Sequence, residues 1–103
     1  METTRYFQNW QEKIVYPAMG AQPVILDDTE KFKVILGGLE CGQKIPNHPE
    51  SQGIYYILEG HGTMTVNEEI FAIDAGAVVI TPEGAFRAVE AKTRLAFLAI
   101  KIK

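Results

Sequence analysis

A chain of 103 residues has room for one hydrophobic core and none for a second, and its 47% hydrophobic and 22% charged residues exclude a fibrous repeat or a disordered tail. Ten Lys and Arg against thirteen Asp and Glu give a net charge of −3 without any basic cluster, so nucleic-acid binding is not expected. No apolar run approaches the roughly 20 residues that span a bilayer, METTRYFQNWQEK lacks the marks of a signal peptide, and Cys41 stands alone, so the expectation is a cytosolic protein with neither membrane contact nor disulfide.

Residues 1–12 carry Tyr6, Phe7 and Trp10 ahead of the first clear strand. Such a dense aromatic group needs burial, either as a flap on its own domain or as an arm exchanged with a partner. From residue 13 to 103 the apolar segments are short, rich in Val, Ile, Tyr and Phe, and bounded by Gly, Pro, Asn or Asp, which predicts a single β domain. The predicted strands are 13–16, 23–27, 31–39, 43–46, 53–59, 62–66, 69–73, 77–81, 86–90 and 93–102. Phe32, Val34 and Leu36 alternate with their neighbours, as do Met64 and Val66, so each strand turns one face to a core. About ten strands without an amphipathic helix imply an all-β sandwich or barrel.

Cys41 lies in a Glu-Cys-Gly turn with no basic neighbour to activate it, so it reads as an incidental thiol. Two hairpins are predicted, one at Glu59-Gly60-His61-Gly62 and one at Asn67-Glu68. The C-terminal TRLAFLAIKIK is apolar at Leu95, Phe97 and Ala99 and also at Ala96, Leu98 and Ile100. A strand apolar on both faces is covered on both, here by the N-terminal segment or by a second subunit, so a homodimer through the N- and C-terminal strands is expected.

Gly76-AVVIT-Pro82-Glu83-Gly84 has a GxxxxxPxG spacing that marks a turn, a buried strand and a second turn. Together with HPES and GIYYILEGHG before it, this spacing resembles the two motifs of the cupin superfamily, over about Lys31 to Lys103. The resemblance implies a single-domain jelly-roll β-barrel, with the hairpin of residues 62–75 between the motifs.

In metal-binding cupins two histidines and a glutamate of the first motif and a histidine of the second hold the metal, a donor set suited to Fe, Mn, Ni or Zn. This chain has two histidines, His48 and His61. At the second-motif position stands Arg87, which has no lone pair to give. Anchored on HisPro, the first motif puts Pro46, His48 and Gly53 at the ligand positions; anchored on Gly42 it puts His48, Glu50 and then Ile54 or Tyr55 there. Either register loses at least two of four ligands. His61, between two glycines, is expected to face solvent.

An inward Arg87 needs a partner, since an unpaired buried guanidinium costs several kcal/mol. Glu50 is the internal candidate, which leaves two readings: a salt bridge plugging a dead metal site, or a clamp for a small carboxylate or phosphate compound. The expected pocket is lined by His48, Glu50, Gln52, Tyr55, Met64, Arg87 and Phe97, with Ile57 and Val66 behind them. The first functional reading is a metal-free binder of a small molecule in the barrel. Alternatives are a metal-dependent dioxygenase, isomerase or lyase using His48, Glu50 and Gln52, a metal-free enzyme with His48 as general base, and a barrel serving assembly alone. No catalytic residue is assigned.

Overall fold

The fold is given by a computed structural model that describes residues 3–20 and 22–103, so Met1 and Glu2 of the N-terminal arm lie outside it. Among the described residues, nine strands follow a 3-10 turn at Trp10–Glu12: β1 Val24–Asp28, β2 Phe32–Leu39, β3 Lys44–Pro49, β4 Gly53–Glu59, β5 His61–Val66, β6 Glu69–Asp74, β7 Val78–Thr81, β8 Phe86–Ala91 and β9 Leu95–Ile102. They form two antiparallel sheets, ordered β1-β2-β9-β4-β7 and β3-β8-β5-β6. Only β1–β2 and β5–β6 are neighbours in both sequence and sheet, so most connections carry the chain from one sheet to the other. That is the jelly-roll solution, in which two sheets bury their alternating apolar faces against each other.

The alternation read from the sequence sets the inner faces. Tyr55 and Ile57 of β4, Met64 and Val66 of β5, Val89 and Ala91 of β8, and Leu95, Phe97 and Ala99 of β9 all point inward. Leu39, Ile57, Met64, Ile73 and Leu95 are closed to solvent, each contributing roughly 2 kcal/mol by burial.

Three expectations are corrected. Residues 13–16 form no strand. They cross the outer face of β2, where a Cβ on Gly38 would lie 2.3 Å from the Val15 carbonyl oxygen, and Pro17 lacks the N–H a ladder would need. The segment is fixed instead by side chains: Arg94 stacks 4.4 Å above the Tyr16 ring, and Gln43 donates to the Pro17 and Ala18 carbonyls. This covers the outer side of β9 at Ala96, which pairs with Gly38.

Second, Gly60 is not the tip of a hairpin, because β4 and β5 belong to different sheets. The chain turns a corner there against the β8–β9 corner, where the His61 carbonyl accepts from Lys92 and Thr93 and the His61 N–H donates to the Thr93 hydroxyl. The hairpin at Asn67-Glu68 does form. Asn67 takes a positive φ of 55° and its side chain and amide both bond to Phe86. Third, β7 is an edge strand rather than a buried one, and it leaves Val78 and Ile80 exposed on the outer face.

Candidate functional site

The site grows from the inward register of β8 and β9. On β8 the alternation that sends Val89 and Ala91 into the core sends Arg87 in as well, and only 5% of it remains exposed. On β9 the same two-residue period continues from Phe97 and Ala99 to Lys101, which stands opposite Gly53 and so has no side chain beside it on β4. Both cations reach Glu50. Arg87 Nη2 donates to Glu50 Oε1, and Lys101 Nζ lies 3.2 Å from the same oxygen.

The Glu50 backbone is held from both sides by the turn before β8: its N–H donates to the Ala85 carbonyl, and its carbonyl accepts from Gly84. The Pro82-Glu83-Gly84 turn of the second motif therefore positions the acid of the first. Burial pushes the Glu50 carboxyl upward, but the hydrogen bonds from Lys101 and Arg87 outweigh it and hold the group below the usual carboxylate range.

Beside this cluster lies a cavity of about 320 Å³, with Arg87 and Lys101 at its charged end and Ile35, Leu39, Tyr55 and Phe97 along its apolar walls. The Tyr55 and Phe97 rings meet at 46° with centroids 5.7 Å apart. Gly37 is the condition for this arrangement, since a Cβ there would lie 2.2 Å from the tip of the Phe97 ring. Burial raises the Tyr55 hydroxyl more than the neighbouring Arg87 charge lowers it, so at neutral pH it is a protonated donor.

Of the residues expected to line the pocket, Tyr55, Arg87 and Phe97 do so, while Glu50 pairs with Arg87 but does not itself line the cavity. Met64 is fully buried in the core, with Ile57 and Val66, and does not line the cavity. Gln52 is exposed in the β3–β4 link, where its carbonyl serves Ile102. His48 stands opposite Arg87 in the β3–β8 register, yet it is exposed, with Nδ1 2.6 Å from the Pro49 carbonyl oxygen. A bulge between Ile45 and His48 re-aims the strand, and the carbonyl of Pro46 within it accepts from Arg87 Nη1 at 3.4 Å. His61 is exposed, as is Cys41, whose thiol meets the Lys92 carbonyl.

Sequence reading missed Lys101. The signal was the inward period Leu95, Phe97, Ala99, Lys101, which it followed only as far as its apolar members.

The residues present do not fit a transition metal. Among the described residues no three His, Cys, Asp or Glu side chains converge as ligands. Glu50, the acid of the first motif, is bound by the Arg87 guanidinium and the Lys101 ammonium, neither of which has a lone pair to give.

Fold and site together define a small jelly-roll barrel with an open apolar interior and a charged cluster at one end of it. A family model described as Cupin domain matches residues 34–101, and the chain belongs to that family. Solved structures agree on the fold. A Thermus thermophilus protein superposes with a TM-score of 0.86 at 21% identity, over 93% of this chain and 95% of its own. A conserved Streptococcus pyogenes protein of unknown function gives 0.83 at 20% identity, over 100% and 90%. A predicted oxalate decarboxylase from Thermotoga maritima gives 0.73 at 24% identity, over 86% and 98%. No curated protein matches the chain.

Proposed function

We propose that this cupin barrel is a binding module for a small molecule, held in the cavity between the sheets without a catalytic metal. The observation that carries the reading is that the Arg87–Glu50 pair does not fill the barrel: about 320 Å³ stays open beside it, within the range of small-molecule pockets. A salt bridge that served only to plug a lost metal site has no need of an apolar chamber behind it. The walls offer apolar area, while Arg87, Lys101 and the Tyr55 hydroxyl offer a few convergent polar groups to fix orientation.

The competing reading is a metal-dependent enzyme with His48, Glu50 and Gln52 as ligands to Fe, Mn, Ni or Zn. It requires His48 and Gln52 to turn inward and Glu50 to leave both cations. Elemental analysis of protein purified without chelator separates the two. Less than about 0.1 equivalent of any transition metal is expected, and a stoichiometric metal lost on His48→Ala would overturn the metal-free reading.

We further propose that the chain pairs with a second copy through the outer face of the five-stranded sheet. Register aligns Ile80, Ile54 and Ile100 in one row and Val78, Tyr56 and Leu98 in the next, with no charged residue in either. Tyr56 is 43%, Val78 57% and Ile80 64% exposed, while residues 13–17 cover only the Gly38–Ala96 corner. Extended over four strands, the face measures roughly 20 Å by 20 Å. Two such faces packed about a two-fold axis bury on the order of 1,000 Å², the lower bound for a specific interface. Sedimentation velocity at about 10 μM should give a dimer, and Ile80→Lys, at an exposed position, a folded monomer. A wild-type monomer would contradict the pairing.

A further inference from the structure

The charges around the cavity do not balance. Arg87 and Lys101 bring two positive charges to its end, and Glu50 answers with one carboxylate, of which a single oxygen meets both cations. The lysines nearby do not cancel that surplus. Glu90 is shared by Lys44 on the rim and by Lys92, each at 3.9 Å, and Asp28, beside Lys33 on β2, is bound by Lys103. One positive charge at the mouth of an apolar chamber is left without a counter-charge among the described residues.

Hydrogen bonding shows the same shortfall. A guanidinium carries five N–H donors in a planar fork. Arg87 uses Nη2 toward Glu50 and Nη1 toward the Pro46 carbonyl, the latter at a long 3.4 Å, and its Nε is buried with no acceptor among the described residues. The pairing with Glu50 is one-pronged: Nη2 is engaged, while Nε on the same edge of the fork has no acceptor among the described residues. A carboxylate is the group whose two oxygens match such an edge, and a buried donor gains most from a charged acceptor.

We propose that the molecule bound in the barrel is a monocarboxylate of roughly ten non-hydrogen atoms in all, its carboxylate received by Arg87 and Lys101 and its apolar body packed against Tyr55 and Phe97. The inference rests on the small-molecule reading above and narrows it to one chemical class. A molecule of that size follows from a cavity of about 320 Å³ when each water-sized group takes about 30 Å³. A single negative charge brings the cluster to neutrality. A phosphate monoester, carrying nearly two charges, leaves an uncompensated negative charge beside Glu50, and a neutral amide leaves the positive one where it was.

Isothermal titration of the full chain with paired series tests the class: the straight-chain carboxylates of four to eight carbons and benzoate, each against its primary amide, with phenyl phosphate as the dianion. At least one carboxylate is expected to bind at least tenfold more tightly than its amide and than phenyl phosphate. Lys101→Met, a partly exposed position whose loss leaves the Arg87–Glu50 pair in place, should cut that preference at least fivefold; Arg87→Met serves only if its circular dichroism matches wild type. Amides binding as well as their acids would overturn the monocarboxylate and leave the small-molecule reading standing. Phenyl phosphate binding best would replace the class with a phosphate ester. A preference unchanged in Lys101→Met would remove the cluster from recognition. If no member of the series binds at millimolar concentration, the inference and the reading beneath it both fail.

Discussion

Replacing Glu50 with Gln is expected to lower the stability of the barrel by about 3 kcal/mol at pH 7, far more than a typical surface substitution. Removing one partner of a buried ion pair costs more than the pair contributes, because the charge left behind remains desolvated. Here two cations are left behind. Arg87 is almost fully enclosed and is fixed by the β8 register, so it cannot swing out into bulk solvent. Lys101 retains 24% side-chain exposure and can turn outward, which places the estimate at the lower end of the range for such losses.

The pH dependence gives this prediction a second arm. The folded-state pKa of Glu50 is depressed, so its contribution is fully present above the unfolded carboxylate value of about 4.3 and is lost as pH falls through the lower folded value. Urea unfolding of wild type and Glu50→Gln should therefore show a gap of about 3 kcal/mol at pH 7 that narrows below about pH 4. A gap under about 1 kcal/mol at pH 7 would mean that the cluster is solvated and that Arg87 does not depend on Glu50.

The Gly60→Ala substitution is expected to cost at least about 3 kcal/mol, against roughly 1 kcal/mol for Gly76→Ala. Both glycines have positive φ, 84° and 95°, and share the backbone penalty of placing an L side chain there. They differ in what a Cβ would meet. At Gly76 nothing lies within 4 Å; at Gly60 the Arg94 carbonyl oxygen would be 1.9 Å away, a backbone atom held in the opposing corner. The difference between the two thus measures the close approach of the two corners that join the sheets. Calorimetric Tm values falling equally in both variants would refute that packing.

The same corner shows where sequence reading of this fold succeeds and where it stops. Strand positions were legible because alternation is a local property: Tyr55 and Ile57, or Met64 and Val66, declare an inner face within one short run. Which sheet a strand joins is not local. IYYIL, two glycines around His61, and TMTV look like a hairpin until the β8–β9 corner is present to be crossed, and Gly60 then has a steric reason unrelated to a tight reversal. Likewise Val15 and Tyr16 have the composition of a strand, but their partner is the bare surface over Gly38 rather than a ladder.

At the site, the pairing of Arg87 with Glu50 could be expected because an inward guanidinium demands a carboxylate, and the first motif offered one at a position carried into the barrel. The fate of His48 could not. It depends on a bulge at Pro46 and Asn47, whose effect on side-chain direction appears only once β3 is laid against β8. Lys101 was legible in period but hidden by chemistry, since a lysine that follows an apolar run reads as its solvated end.

The most direct test of the account is where a bound compound perturbs the protein. With ¹⁵N-labelled chain and a mixed set of small organic acids, amides and alcohols, amide shifts are expected to cluster at Ile35, Gly37, Leu39, Tyr55 and Phe97, the walls of the cavity beside Arg87. Shifts confined to the outer sheet or to the exposed histidines, or no response to any compound at millimolar concentration, would contradict a binding site inside the barrel.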